Sequence, residues 1–283
     1  MKKFKSVLAL VLSLALIIAL AAGCKTVDPN ADPTPTPSAD APTPGSELTL
    51  IKAGTLTIGS EISYPPFEMY DDDGVTPIGL DIELAQEIAK LLGLKVEFVD
   101  TGFDGILAGI DAGKYDISMS SLTITPDRSE QVNFSTPYIE NWQAIVVKKG
   151  SAPITSDLDM NGKKIAFQTG TTSEAYIDNL IATEGVNATL SSLDHVTNAF
   201  DELRLGRVDG VLCDSVVADG YVAREGDNFE ISWIQSSVPD AEPELFGIAV
   251  GKTNASLLAA INDAVATLEA NGTLERLRSD WLS

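Results

Sequence analysis

The spacing of apolar residues switches repeatedly along the chain between the two-residue period of strands and the i, i+3, i+4 spacing of amphipathic helices. Leu84, Ile88 and Leu91 show the helical spacing, and Gly93 follows as a stop signal. Strands are predicted at residues 55–58, 95–99, 115–119, 144–147, 164–168, 188–190 and 210–213. Helices are predicted at residues 81–92, 103–112, 173–182 and 194–205, and another opens at Thr125-Pro126. This alternation predicts an α/β fold in which helices cover parallel sheets.

Two stretches, residues 103–121 and 200–214, resemble one another. Each reads as a helix, a glycine stop, a basic residue, an aspartate and a strand that ends in polar residues. We interpret them as matching parts of two lobes; the alternative is that any helix-to-strand turn looks alike. Ser121 and Asp214 end the matching strands. Because ligands of open α/β sheets bind at the carboxyl ends of strands, we expect a cleft between them.

The first residues predict export and anchoring. Residues 1–23 combine an early cluster of lysines with an apolar stretch, as in a signal peptide, and Ala-Ala-Gly precedes Cys24 as in a bacterial lipobox. We expect cleavage before Cys24, acylation of its thiol and an extracytoplasmic protein held on the cell membrane. Residues 24–46 are rich in proline and threonine and predict an extended linker. An uncleaved signal anchor is the alternative.

Composition excludes several functions. The formal net charge of −22 argues against nucleic acid and against an anionic membrane surface as partners, so contact with the membrane is expected through the lipid anchor only. His195, the single histidine, leaves no two-histidine metal site, and we predict neither metal nor cofactor. We expect His195 to be a solvated surface residue. Residues 71–74 predict a hairpin turn rather than a calcium loop.

Arg128 is the first candidate for ligand binding. It falls in the first turn of the helix that Thr125 opens, where the helix dipole disfavours a cation, so a functional demand is suggested. A guanidinium beside hydroxyls and free helix N–H groups is suited to bind a carboxylate. A salt bridge with Asp127 or Glu130 is the alternative.

The second lobe supplies complementary groups. Thr171 and Thr172 lie in a strand-to-helix turn whose N–H groups and hydroxyls suit the same carboxylate, with helix capping as the alternative. Asp214 could accept hydrogen bonds from an ammonium group, or else cap the helix that begins near Ser215.

Glu61, Tyr64 and Phe103 follow strand ends in the first lobe. Two aromatic faces could enclose an aliphatic or cationic side chain, with Glu61 available to its polar end. Core packing is the alternative for the aromatic residues.

These segments, in this order, resemble the polar amino-acid-binding proteins of ABC importers, the extracellular solute-binding proteins of family 3. The resemblance rests on residues 63–68, 79–84, 103–106, 120–128, 131, 134–135, 137–138, 170–172 and 208–211. It implies a two-lobed, type II periplasmic-binding-protein-like fold with its ligand between the lobes. Implied bounds are residues 47–138 plus 247–283 for lobe 1, 143–238 for lobe 2, 138–142 and 239–246 for the hinge crossovers, and 257–268 and 273–281 for the last helices.

The resemblance also implies a role for each site residue. The α-carboxylate of the ligand would be held by Arg128, Thr123 and Thr172, and its α-ammonium by Asp214 and Ser121. The side chain of the ligand would be flanked by Tyr64 and Phe103, and its end would be reached by Glu61, Ser120, Gln168 and Cys213. An acid at position 61 favours arginine or lysine, then glutamine.

The function implied is that of a monomeric substrate-binding lipoprotein, not an enzyme, that closes like a hinge around its amino acid and delivers it to an importer permease. The alternative is an enzyme of the same fold resembling cyclohexadienyl dehydratases, with Glu61 or Glu174 as proton donor.

Overall fold

The computed structural model describes residues 48–282, so the predicted signal peptide, Cys24 and the linker lie outside the described residues. In chain order the strands are β1 (Thr55–Ser60), β2 (Met69–Tyr70), β3 (Pro77–Ile78), β4 (Lys95–Asp100), β5 (Ile117–Ser118), β6 (Val132–Phe134), β7 (Ile139–Asn141), β8 (Gln143–Lys148), β9 (Lys164–Gln168), β10 (Thr189–Leu193), β11 (Gly210–Asp214), β12 (Phe229–Ile234), β13 (Glu244–Phe246) and β14 (Ala249–Gly251). The α-helices are α1 (Leu80–Leu91), α2 (Ile106–Asp111), α3 (Pro126–Gln131), α4 (Thr172–Glu184), α5 (Val196–Arg204), α6 (Ser215–Glu225), α7 (Ala255–Ala270) and α8 (Thr273–Leu282). Short 3₁₀ helices lie at Phe103–Gly105, Asp157–Met160 and Gln235–Ser237.

Two five-stranded sheets organise the described part of the chain, in the orders β4-β1-β5-β14-β6 and β10-β9-β11-β8-β12. In each sheet four strands run in the same direction and one strand, β14 or β8, runs against them, so the pairs that involve β14 or β8 are antiparallel. The α/β prediction is confirmed, and the expected parallel pairing is found in β4-β1-β5 and in β10-β9-β11, but each sheet also contains one antiparallel strand. The reason is that β14 and β8 join their sheets from the opposite direction.

The two sheets are linked by a smaller pair of strands. β7 and β13 run antiparallel, with Glu244 opposite Asn141 and Phe246 opposite Ile139. β7 leads directly into β8 of the second sheet, and β13 is followed by β14 of the first. This places Asn141 and Glu244 between the two sheets.

The helical predictions are close to the structure, apart from one break. The expected helix at residues 103–112 is a 3₁₀ turn followed by α2, and Gly105 lies at the junction. α4 runs two residues beyond the predicted end at residue 182 and stops before Gly185, whose φ of 71° is the left-handed conformation that glycine adopts without strain. The strand pair β2-β3 confirms the hairpin expected around residues 71–74.

The core follows from the alternation of side chains along the strands. Val211 and Leu212 of β11 are both fully buried but belong to different apolar clusters, because successive strand residues face opposite sides of the sheet. Val211 packs in the same cluster as Phe200 of α5, and Leu212 in the same cluster as Ile177 of α4. Helices therefore cover both faces of the second sheet. Among residues 48–282, no helix has the length and apolar character needed to cross a membrane.

Candidate functional site

Arg128 connects the two halves of the molecule. Thr125 caps α3 by accepting the backbone N–H of Arg128 at 3.2 Å, which fixes the start of the guanidinium-bearing side chain. Nη1 then donates to the carbonyl oxygen of Thr123 at 2.9 Å, and Nη2 donates to that of Gly170, before α4, at 3.1 Å. The guanidinium carbon lies 5.3 Å from the ring centroid of Phe103.

The charge of Arg128 is not neutralised by a carboxylate in direct contact. No ion pair within the described part of the chain involves it, so the alternative salt bridge with Asp127 or Glu130 is wrong. Burial lowers the pKa of Arg128, opposed by the negative charges of Asp214 and Glu244. The guanidinium is therefore a partly desolvated cation with donors left for an anion.

Asp214 ends β11 as predicted. It stands at the N-cap position of α6, but its side chain accepts no capping hydrogen bond, so the capping alternative is wrong. Oδ2 accepts from the Tyr64 hydroxyl at 2.5 Å, and Oδ1 accepts from Nδ2 of Asn141 at 2.6 Å and Nε2 of Gln143 at 3.3 Å. Only 6% of Asp214 is exposed.

The environment of Asp214 makes it a weak acid. Burial, and after it the charge of Glu244, raises the pKa of Asp214 to about 7, while its hydrogen bonds and Arg128 act in the opposite direction. Burial and the adjacent Asp214 raise the pKa of Tyr64 well above its usual value, so this hydroxyl remains a donor. A cation placed beside Asp214 would favour its ionised form.

Glu244 of β13 is a site residue that sequence reasoning missed. Its Oε2 lies within hydrogen-bonding distance of Thr172 Oγ1 at 3.0 Å, Gln143 Nε2 at 3.0 Å, Asn141 Nδ2 at 3.3 Å and Thr123 Oγ1 at 3.5 Å. Asn141 and Gln143 were missed too, although both are fully buried polar residues next to an apolar strand. Such isolated polar positions were the available signal.

The Ser120-Ser121 turn rests on a buried pair of acids. The hydroxyls of Ser120 and Ser121 donate to Glu68 at 3.0 and 3.4 Å, and the N–H of Ser121, whose φ is 50°, donates to Asp81 at 2.8 Å. Burial raises the pKa of Glu68 well above its usual value and that of Asp81 to about 6. The acid pair thus holds the turn in its left-handed conformation, and both serine hydroxyls are engaged with it.

Glu61 lies at the centre of a second buried cluster of polar side chains, and only 1% of Glu61 is exposed. Oε1 is 2.5 Å from both the Ser63 hydroxyl and Nδ1 of His195, and Oε2 accepts from Nε2 of Gln168 at 2.5 Å. His195 precedes α5 and Gln168 ends β9, so both reach Glu61 from the second sheet. His195 lies at the surface as expected, with 43% of its side chain exposed, but its contact with Glu61 was not predicted.

Gln168 carries an orphaned acceptor. Its Nε2 donates to Glu61 and, at 3.0 Å, to the carbonyl oxygen of Asp194, whereas its Oε1 has no hydrogen-bond partner within residues 48–282. Exchanging the two amide atoms would set oxygen against the carboxylate of Glu61, so the orientation is determined. A buried acceptor of this kind calls for a hydrogen-bond donor.

One narrow cavity collects most of the predicted site residues: Tyr64, Phe103, Ser121, Thr123, Arg128, Thr171, Thr172 and Asp214. Glu61, Ser120 and Gln168 are not among its lining residues and form the neighbouring buried cluster. The two are joined, since the N–H of Glu61 donates to Ser120 Oγ at 3.0 Å. Thr171 does not cap α4 with its side chain; its hydroxyl donates to the carbonyl oxygen of Gln168 at 2.7 Å and closes the turn.

The arrangement places opposite charges on two sides of one cavity. Arg128 can bind an anion, and Asp214, about 7 in pKa, can bind a cation. The aromatic side chains of Tyr64 and Phe103 line the same cavity, Tyr64 in contact with Asp214 and Phe103 against the guanidinium of Arg128. A small zwitterion matches this distribution of charge.

Comparison with known proteins places these features in a family. Residues 56–283 match the profile of the bacterial extracellular solute-binding proteins, family 3. The L-cystine-binding protein TcyJ of Escherichia coli K12 is 34% identical over 229 residues, which are 81% of this chain and 82% of TcyJ. The ABC transporter arginine-binding protein 1 of the same organism is 33% identical over 233 residues, 81% of this chain and 91% of that protein.

Solved structures agree with this fold. An ancestral arginine-binding protein bound to arginine is 40% identical with a TM-score of 0.75, over 81% of this chain and 99% of the other. The ancestral amino acid-binding protein AncCDT-1, a precursor of cyclohexadienyl dehydratase, is 37% identical with a TM-score of 0.73, over 81% and 96%. The expected two-lobed α/β fold is thereby confirmed.

Proposed function

Because this chain belongs to the bacterial extracellular solute-binding proteins of family 3, we propose that it captures an L-amino acid between its two sheets and delivers it to an ABC importer. The observation that carries this proposal is the pairing of Arg128 and Asp214 on one cavity. Arg128, Thr123 and Thr172 receive the α-carboxylate, and Asp214, beside Ser121, receives the α-ammonium. Both predicted partners of the ligand backbone are supported by this geometry.

The preferred side chain is cationic, arginine or lysine, with glutamine next. Gln168 Oε1 is a buried acceptor that needs a hydrogen-bond donor, and leaving such a group unsatisfied costs about 1–3 kcal/mol. A guanidinium, ammonium or amide supplies that donor, whereas a carboxylate does not. The buried carboxylate of Glu61, which accepts from Gln168 Nε2 at 2.5 Å, further favours a cation at this end of the ligand.

A thermal-unfolding screen of the twenty amino acids tests the proposal. An amino acid at a hundred times its Kd adds about 2.7 kcal/mol of stability. We expect arginine or lysine to stabilise the wild type most and Arg128→Ala to lose the effect. Arg276→Ala, an exposed arginine of α8, is the matched control and should keep it. If no amino acid stabilises the wild type, or if Arg128→Ala keeps the full effect, the proposal is wrong.

The side-chain assignment has its own test. Glu61→Gln should weaken the binding of arginine and lysine more than the binding of glutamine, because one buried negative charge is removed. Titration calorimetry measures these affinities. Tight binding of glutamate or aspartate by the wild type, with none of the basic amino acids, would eliminate the assignment.

Closure and anchoring complete the proposal. We place the hinge at residues 138–142 and 239–246, with lobe 1 at 47–138 plus 247–283 and lobe 2 at 143–238. The pairing of β7 with β13 supports this location. Signal-peptide cleavage before Cys24 and lipid anchoring through it are proposed from the sequence, as is a monomeric state. Mass spectrometry of the mature N-terminus tests the lipid anchor.

An enzymatic alternative is favoured by one observation, the likeness to AncCDT-1. A dehydratase needs a proton donor at its cavity. Both candidate glutamates act as hydrogen-bond acceptors here, Glu61 for Gln168 Nε2 at 2.5 Å and Glu174 for the N–H of Gly170 at 2.7 Å. Turnover of prephenate or arogenate by the purified protein would decide for the enzyme.

A further inference from the structure

Glu244 lies where the two sheets and their connecting strands meet. The four donors around its Oε2 come from the segment before α3 (Thr123), from β7 (Asn141), from β8 (Gln143) and from the start of α4 (Thr172). A single carboxylate oxygen thus contacts the segment between β5 and α3, the connecting strand β7, and two elements of the second half of the molecule, β8 and α4. Two of those groups, Thr123 and Thr172, are the hydroxyls proposed to receive the α-carboxylate of the ligand.

A ligand carboxylate and the Glu244 carboxylate would compete for the same hydrogen-bond donors, the hydroxyls of Thr123 and Thr172. A threonine hydroxyl has one hydrogen to donate, so Thr172 can serve either Glu244 or the ligand. The negative charge of Glu244 also acts on Arg128, the cation of the cavity, and would repel a second carboxylate placed beside it. Both effects oppose binding of an amino acid while Glu244 remains in place.

Displacement of Glu244 by the ligand carboxylate leaves the amides of Asn141 and Gln143 with another acceptor. Asn141 Nδ2 lies 2.6 Å from Asp214 Oδ1 and 3.3 Å from Glu244 Oε2, and Gln143 Nε2 lies within 3.3 Å of both acids. When Glu244 withdraws, these amides keep Asp214 as their acceptor. Only partly buried, Glu244 has access to water once it moves.

We propose that Glu244 acts as an internal competitor of the ligand, occupying Thr123 and Thr172 in place of the α-carboxylate, and that amino-acid binding requires its withdrawal. The inference rests on the proposed function. It makes Glu244 a residue that sets affinity from the strand β13, without being a binding partner of the amino acid.

Titration calorimetry compares each amino acid with its decarboxylated amine: L-arginine with agmatine, and L-lysine with cadaverine. In Glu244→Gln we expect the better-bound of the two amino acids to gain about tenfold in affinity, since a hydrogen bond to a charged group and a repulsion are removed. Its amine, which lacks the carboxylate, should gain nothing. Glu244→Ala should raise the affinity for the amino acid as well. The matched control is Glu242→Gln, at an exposed glutamate two residues earlier, which should leave the affinity for both the amino acid and its amine unchanged.

The other outcomes separate the two proposals. Weaker binding of both amino acid and amine in Glu244→Gln would mean that Glu244 binds the ammonium, and unchanged affinity of both would mean a structural role; either overturns the inference alone. Binding by Glu244→Gln but not by the wild type supports it. Absence of arginine and lysine binding by both proteins overturns the proposed preference for a cationic side chain and this inference with it, whereas the screen of the twenty amino acids tests the proposed function itself. Thermal unfolding of each variant verifies that it is folded.

Discussion

Replacing Asp214 by asparagine should stabilise the unliganded protein while abolishing ligand binding. Asparagine keeps the size of the side chain, and its Oδ1 can still accept from Asn141. Its amide nitrogen then meets the Tyr64 hydroxyl, which changes from donor to acceptor. The hydrogen bonds survive, so the main change is the removal of a buried carboxylate that ionises reluctantly.

The magnitude follows from the pKa of Asp214, which is raised from 3.8 to about 7. A folded-state pKa above the unfolded value means that stability is fully present below about pH 4 and is lost as pH rises through about 7. By pH 8 the loss amounts to about 4 kcal/mol, at 1.36 kcal/mol per pKa unit. Weaker neutral hydrogen bonds in Asp214→Asn offset about 1 kcal/mol of this, which leaves a gain of about 3 kcal/mol.

Urea unfolding at pH 4 and pH 8 measures the effect. We expect Asp214→Asn to exceed the wild type at pH 8 and to match it or fall below it at pH 4. In a Glu244→Gln background the gain should shrink, because the charge of Glu244 contributes to the raised pKa. A variant that is no more stable than the wild type at pH 8, or a difference that does not depend on pH, would refute the reasoning.

Three further results are expected. Amino-acid affinity should fall about tenfold per pH unit below about pH 7, because the α-ammonium of the ligand requires Asp214 in its ionised form. Calorimetry between pH 5 and 8 measures this dependence, and an affinity that does not change with pH contradicts it. Gly109→Ala should lose about 2 kcal/mol of unfolding free energy, because the added Cβ would lie 1.9 Å from the Tyr115 hydroxyl oxygen. Gly102→Ala is the control and should change the stability little, because its Cβ meets only a flexible carboxylate oxygen of Asp104 at 3.3 Å; equal melting temperatures of the two variants would refute the clash. Phe200→Ala should lose about 3–5 kcal/mol in urea unfolding, since the ring is fully buried, and a loss below 1 kcal/mol would show that the site relaxes.

Much of the secondary structure could be predicted from local pattern. The strand at residues 164–168 was predicted with the bounds of β9, and the helix at 81–92 differs from α1 by one residue at each end. Thr125 was recognised as the cap of α3 because capping depends on neighbours in sequence. The direction in which β8 and β14 join their sheets was not predicted, because strand direction depends on the path of the chain between elements.

The candidate site divides in the same way. Arg128 and Asp214 were identified from sequence because each breaks or ends a local pattern, and both line the cavity. The roles of Glu244 and His195 were missed because their partners lie 72 and 134 residues away, at Thr172 and Glu61. No spacing or period connects residues so far apart.

The sequence by itself thus determined the elements, the α/β class and the charged groups at the strand ends, all of which depend on residues that are neighbours along the chain. Only the tertiary structure decided which carboxylates share donors, which amide oxygen is left without a partner and which acids are hard to ionise. The physical reason is that burial and hydrogen-bond partners are properties of the packed interior, where residues from distant parts of the chain replace water.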